Sequence, residues 1–136
     1  MTQPTNAPRP DMDIEEDIRG IISHYPPLQA DRHQLHLEVR DGNVSVSGHV
    51  RSLISRRFLA DHVAEVRGVR SVNIDQLYGE ETIRLEAGQR IPQGVIANAT
   101  YGTVILTGVL PSGTTTDEIA SSVGQVRGVQ RVIAKF

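Results

Sequence analysis

The sequence predicts an α+β protein built from two αββαβ units, each a small three-stranded mixed sheet with its helices packed on one face. Three observations predict it. A glycine- and valine-spaced run recurs at a fixed offset, the apolar period switches from helical to alternating in both halves, and 38% of the 136 residues are hydrophobic, enough for two small cores.

Sliding the chain by 60 positions aligns Gly42-Asn43-Val44-Ser45-Val46-Ser47-Gly48 with Gly102-Thr103-Val104-Ile105-Leu106-Thr107-Gly108, and Val66-Arg67-Gly68-Val69 with Val126-Arg127-Gly128-Val129. The same offset matches Val50 to Leu110, Leu59 to Ile119, Ala60 to Ala120, Val63 to Val123 and Val72 to Val132. Upstream the register changes to 65, where Ile18-Arg19 meets Ile83-Arg84 and Pro27 meets Pro92. Five residues are therefore expected to be missing from the second unit's first loop, which places Leu28 to Gln34 of the first unit in a surface connection.

Each element then follows in order. Ile14, Ile18, Ile21, Ile22 and Tyr25 fall on one helical face, which Pro26-Pro27 ends. Leu35, Leu37 and Val39 alternate with polar residues, Asp41-Gly42 marks a tight turn, and Val44, Val46 and Val50 resume the alternation of a hairpin. A second helix begins near Ser52, turns Leu59, Ala60, Val63 and Val66 inward, and is expected to end on Gly68 as its left-handed C′ residue. Val69, Val72 and Ile74 supply a closing strand. In the second copy the opening helix, about Glu81 to Ile91, is short and contains Gly88, and Ile83 and Leu85 would also suit a strand. The units are thus placed at residues 13–78 and 79–136, behind a Pro-rich tail over residues 1–12 that is expected to be disordered.

The strand signature G-x-V-x-[LV]-x-G, followed by a helix and then V-x-G-V leading into a final strand, resembles the BON domain, named for bacterial osmotically induced and nodulation proteins. Both copies carry it, from about Asp13 to Phe136. The resemblance implies an αββαβ fold, usually in tandem, found in proteins of the bacterial envelope and proposed to contact phospholipid surfaces. It implies no catalysis.

Composition narrows the function classes. Fourteen basic and sixteen acidic side chains leave a net charge of −2, and only 4% of residues are aromatic, so neither a global field nor a stacking platform points to nucleic acid. The absence of cysteine removes disulfide and thiolate chemistry. The first dozen residues show no apolar run of a secretory signal, and no stretch approaches the length of a membrane span, so the expected location is cytoplasmic, with peripheral contact at the inner face of the membrane.

Neither cofactor nor metal is expected. The five histidines, His24, His33, His36, His49 and His62, have no counterparts in the second copy and read as surface residues. His33-x-x-His36 would need a further ligand such as Asp31 or Glu38. Asp11, Asp13, Glu15, Glu16 and Asp17 cluster at a helix start, where the macrodipole favours negative charge. Ser45, Ser47 and Thr107 lack a histidine at fixed spacing, so no enzyme is predicted.

The candidate site comes from a difference between the copies. Leu53, Ile54 and Phe58 stand where the second copy has Gly113, Thr114 and Glu118, so they are not holding a shared core, and the helical turn angle puts Ile54 and Phe58 opposite the buried stripe. Arg51, Arg56 and Arg57 surround them. An exposed apolar tip ringed by arginine suits an anionic phospholipid surface bound peripherally. The alternative is a protein-interaction or oligomerisation scaffold, a homo-oligomer included, that uses the Phe58 patch as its interface.

Overall fold

Isoleucines 14, 18 and 22 recur once per helical turn and are all buried, and in the computed structural model, which describes residues 9–136, they form the inner stripe of α1 (Asp11–His24). The tail expected over residues 1–12 lies outside the described residues as far as residue 8. Beyond it, Arg9 donates to the Arg67 carbonyl (3.0 Å) and pairs with Asp17 (2.7 Å), and α1 is already under way at Asp11.

Pro26 and Pro27 follow the end of α1 and also open α2 (Pro26–Asp31), because proline's fixed φ suits a first helical turn. The connection expected over Leu28 to Gln34 is therefore this helix and a single 3₁₀ turn (Arg32–Gln34), with Leu28 and Asp31 fully buried. What looked like a loop deletion is the loss of a packed helix from the second unit. Twenty-four positions separate Asp11 from Leu35, but only fifteen separate Glu80 from Val95, so nine residues are missing rather than five. In that register Asp11 matches Glu80, Ile14 matches Ile83 and Ile18 matches Ala87, and each matched apolar residue is buried. The acids share a task as well. Asp11 accepts from the amides of Asp41 (2.9 Å) and Gly42 (3.0 Å), and Glu80 from the amide of Tyr101 (2.8 Å), so each opening helix holds the hairpin turn of its own unit.

β1 (Leu35–Arg40) and β2 (Asn43–Val50) pair antiparallel through a turn whose two central residues, Asp41 and Gly42, have positive φ, the type I′ geometry that matches strand twist. Gly48 pairs with Leu35 at the open end, with φ +115°, and a Cβ there would collide with the Gln34 carbonyl. Gly108 meets the Gly94 carbonyl in the same way, which is why the signature ends in glycine in both copies. α3 (Leu53–Ala64) is capped by the Ser52 hydroxyl, which accepts from the Ser55 amide (3.1 Å). Gly68 has the positive φ expected of it, +94°, but α3 has already ended. The residue is the third of a turn closed by the Val69 amide on the Val66 carbonyl (3.1 Å), and Gly128 repeats that turn.

β3 (Ser71–Asn73) runs parallel to β2, and β4 (Leu77–Gly79) continues along the same edge, so the first sheet has four strands where three were expected. The second unit opens with a helix, α4 (Glu80–Gly88), followed by β5 (Val95–Thr100), β6 (Thr103–Gly108), α5 (Thr116–Gly124) and β7 (Arg131–Ala134). Its sheet, ordered β5-β6-β7, repeats the first sheet's register, with Val95 opposite Gly108 and Val104 opposite Val132.

Each unit has its own core on the helix side of its sheet. Ile14, Ile18, Leu28, Leu59 and Val63 cover Val44, Val46 and Val50, while Ile83, Ala87, Ile119 and Val123 cover Val104 and Leu106. Full burial of one such aliphatic side chain contributes roughly 1.5–3 kcal/mol, so the two cores, rather than surface pairs, hold the units together.

The units meet at the end of β2. His49, expected at the surface, is 4% exposed, and its Nε2 lies 2.7 Å from the Gly128 carbonyl. A carbonyl only accepts, so Nε2 carries the proton. Beside it the carboxylate of buried Asp31 accepts from the Tyr101 hydroxyl (2.6 Å) and from the Arg51 amide (3.2 Å), while Arg51 Nε donates to the Tyr101 oxygen (3.0 Å). Burial first, then the hydrogen bond to Asp31, raises the Tyr101 phenol above its ordinary pKa, and the Arg51 hydrogen bond works against them.

Candidate functional site

The residues expected to form one exposed cluster are divided by the fold among three tasks. Ile54 is the exposed tip, with 74% of its surface open, and Leu53 beside it is partly exposed. Phe58 is not exposed as expected. Its ring is stacked between Tyr25 (centroids 3.8 Å apart) and His62 (3.8 Å), half-buried on the flank of the first core. Tyr25 reaches it because α1 stops at His24 and the chain extends for one residue before α2.

The arginines separate likewise. Arg56 donates from Nε to the Leu77 carbonyl (2.7 Å) and from Nη2 to the Ile74 carbonyl (3.0 Å), so its charge ties the β3–β4 connection to α3. Arg51 lies over the Tyr101 ring, 5.7 Å from its centroid, as part of the joint between units. Arg57 is the most open, its side chain 85% exposed and 3.8 Å from Asp61. An exposed pair of that kind is worth little.

A groove absent from the sequence reading lies next to Leu53, between α3 and α4. It has a volume of about 270 Å³, and Leu53 supplies its exposed apolar surface, with Leu77 and Ile83 buried behind it. Arg56 and Arg127 stand on its rim with Asp75 and Glu86, so the rim carries both signs of charge. Arg127 also donates to the Asp75 carbonyl (3.4 Å), across the joint. No short-range pattern announces this groove, because its walls come from two units and meet only when β4 joins β2.

A second recess, about 510 Å³ and open, lies on the outer side of the first sheet, where His33, His36, Ser47, His49, Tyr78 and Gln130 contribute to its lining. Among the described residues no group of three or more histidine, cysteine or acidic side chains is arranged to hold a metal ion. Asp31, the further ligand that His33 and His36 would need, is committed to Tyr101 and Arg51. Among the described residues no helix is long and apolar enough to cross a membrane.

The fold is similar to two solved structures of CdsD from Chlamydia trachomatis, described as a structural protein of the type III secretion system. One is 14% identical and aligns over 93% of this chain and 62% of its own with a TM-score of 0.73. The other, its C-terminal domain, is also 14% identical and aligns over 94% and 68% with a TM-score of 0.74. The chain thus spans less than two thirds of the length of the first, and at this identity the likeness is one of fold. No curated protein sequence matches the chain. The model of the BON domain matches residues 10–78, just over half of the chain and all of its first sheet but Gly79, and the chain belongs to the BON domain family.

Proposed function

We propose that the chain is a non-catalytic docking module, a tandem of two BON-like units over residues 13–78 and 79–136, whose site is the α3–α4 groove and whose occupant is a protein. The observation that carries this reading is the rim. Arg56, Arg127, Asp75 and Glu86 line the groove beside the exposed Leu53 and Ile54, and mixed charge beside apolar side chains is the pattern of a protein interface. A uniformly anionic bilayer would meet Asp75 and Glu86 unfavourably. By analogy of fold alone, the likeness to a structural protein of a secretion system points the same way.

A second reading, peripheral binding to anionic phospholipid, is favoured by Ile54 standing at the helix end that also carries the exposed side chains of Arg51 and Arg57. One experiment separates the two. The full chain, Ile54→Asp, Glu86→Arg and the double variant Arg51→Glu/Arg57→Glu are each tested for co-flotation with phosphatidylglycerol and phosphatidylcholine vesicles and for retention of a defined polypeptide on immobilised chain. The protein reading expects no flotation, and retention lost in Ile54→Asp and Glu86→Arg at unchanged melting temperature. Flotation with anionic vesicles that salt and the arginine reversal abolish, while Glu86→Arg strengthens it, would sink that reading in favour of lipid.

A further inference from the structure

Only at Asp41-Gly42, the tip of the first hairpin, does glycine follow an aspartate or asparagine in this chain. In such a pair the glycine nitrogen meets no side chain of its own residue on its way to the preceding carboxyl group. Asp41 is exposed, whereas Gly42 is buried and its carbonyl accepts from the Arg70 amide (2.8 Å). The two amides that flank the Asp41 Cα both donate to one carboxylate, that of Asp11, at 2.9 Å and 3.0 Å. The torsion between those two nitrogens is ψ of Asp41. The clamp therefore locks a bond that must rotate before the Gly42 nitrogen can reach the Asp41 side chain. The second hairpin has the same positive φ at Tyr101 and Gly102, and Glu80 accepts from the Tyr101 amide, but a phenol stands where the first has a carboxyl group.

We propose that Asp41 is a covalent modification site, converting spontaneously to isoaspartate, and that the Asp11 carboxylate holds the conversion back until the start of α1 lets go. The Gly42 nitrogen attacks Cγ of the Asp41 carboxyl group in its acid form. An N–Cγ bond forms, the Cγ–OH bond breaks, and the amide proton leaves with that hydroxyl as water, closing a five-membered succinimide. Water then adds to one of the two ring carbonyls. Attack at Cγ restores aspartate. Attack at the main-chain carbonyl carbon breaks its bond to the Gly42 nitrogen, so the chain now runs through Cβ and Cγ and the α-carboxylate stands free. One water is lost and one regained, and nothing is oxidised or reduced. The Gly42 N–H must leave Asp11, and ψ must turn out of its type I′ value, before the ring can close, which places that hydrogen bond in the barrier. The product has an extra backbone carbon in a two-residue turn, so its amides no longer match the two oxygens of Asp11. Isoaspartate at this position therefore registers how long α1 has been off the hairpin, and it does so in the first unit alone.

The site lies apart from the α3–α4 groove, and its test needs no ligand. The full chain, Asp11→Ala, Asp11→Asn, Glu80→Ala and Asp41→Ser are incubated at physiological temperature. Isoaspartate is counted by enzymatic methyl transfer and located by separating peptides of equal mass that span Asp41. Asp11→Ala is expected to raise the rate at Asp41 roughly tenfold or more, the worth of a hydrogen bond to a charged acceptor. Asp11→Asn keeps the shape and one acceptor oxygen, so it should fold as the wild type does and raise the rate less. Glu80→Ala removes the matched carboxylate from the other hairpin and should leave the rate at Asp41 unchanged. Asp41→Ser should remove the signal. A rate in both Asp11 variants no higher than in wild type, an equal rise in Glu80→Ala, or isoaspartate undiminished in Asp41→Ser would each overturn the proposal.

Discussion

Removing the hydroxyl of Tyr101 tests whether the two units are held by chemistry or merely adjoin. In the native joint that hydroxyl donates 2.6 Å to Asp31, whose carboxylate is fully buried, and accepts from Arg51 Nε. Tyr101→Phe leaves the ring in place and takes the donor away. Asp31 keeps the Arg51 amide at 3.2 Å, and the Arg51 side chain is too far, at 4.0 Å, to replace the lost hydrogen bond without moving. A hydrogen bond to a charged group is worth about 1.5–3 kcal/mol, and the buried acceptor left short of a partner puts the cost in that range. With a urea m-value of about 2 kcal/mol per molar, the denaturation midpoint should fall by roughly 1 M. Asp31→Asn can still accept from the tyrosine and should cost less than Tyr101→Phe, whereas Asp31→Ala should cost more. Equilibrium denaturation followed by circular dichroism, with the summed emission of the three tyrosines as a second probe in the wild type, is the assay. A Tyr101→Phe midpoint indistinguishable from wild type would refute the claim that this triad secures the joint.

The remaining expectations are shorter. Because burial and Asp31 raise the Tyr101 phenol, its contribution to stability is complete below the unfolded tyrosine value of about 10 and is lost as pH rises through the higher folded value, so wild type should lose stability in that alkaline window more steeply than Tyr101→Phe. Melting curves from pH 8 to pH 11.5 check the sign. Gly68→Val should cost more than about 1 kcal/mol, since φ is +94° and the new Cβ would lie 2.8 Å from Arg9 Cβ. Gly128→Val should cost more still, because there the obstacle is the Tyr78 ring at 2.5 Å, which yields less readily than an arginine stem. Equal midpoints for either variant and wild type would show that the turn does not need its glycine.

What the sequence disclosed was whatever depends on residues close together in the chain. Alternation at Leu35, Leu37 and Val39 and again at Val44 and Val46 is a local consequence of a hairpin with one wet face, and the structure pairs those residues as the alternation requires. The start of α3 near Ser52, whose hydroxyl turns out to cap the helix, is equally local. The second helix, α2, escaped because six residues are too few to show a period and because proline, read as a terminator, was here also an initiator. The β4 strand escaped for a different reason. Leu77, Tyr78 and Gly79 look like a linker until β2 proves long enough to pair with both β3 and β4 along one edge.

The candidate site shows the same limit from the other side. Comparing copies asked where the first is apolar and the second polar, and it found Ile54 correctly as an exposed tip but could not see Tyr25 arriving over Phe58 or two carbonyls claiming Arg56. Those partners lie on segments that the repeat does not share, and a pairwise comparison is blind to contacts with unshared segments. The opposite question was equally available in the sequence. Positions where the second copy is apolar and the first polar include Ile96, Ile105, Val109 and Ile133 against His36, Ser45, His49 and Asn73, which lie on the second sheet's bare face and, at His49, at the joint. One member of each pair must be explained by something other than the common core. At His49 the explanation is the neighbouring unit, which buries an imidazole by giving it the Gly128 carbonyl. At Val109 the matched corner of the second unit meets no third unit, and an apolar side chain that needs no hydrogen-bond partner stands there 74% exposed, so the same hairpin corner is polar where a neighbour supplies an acceptor and apolar where none does.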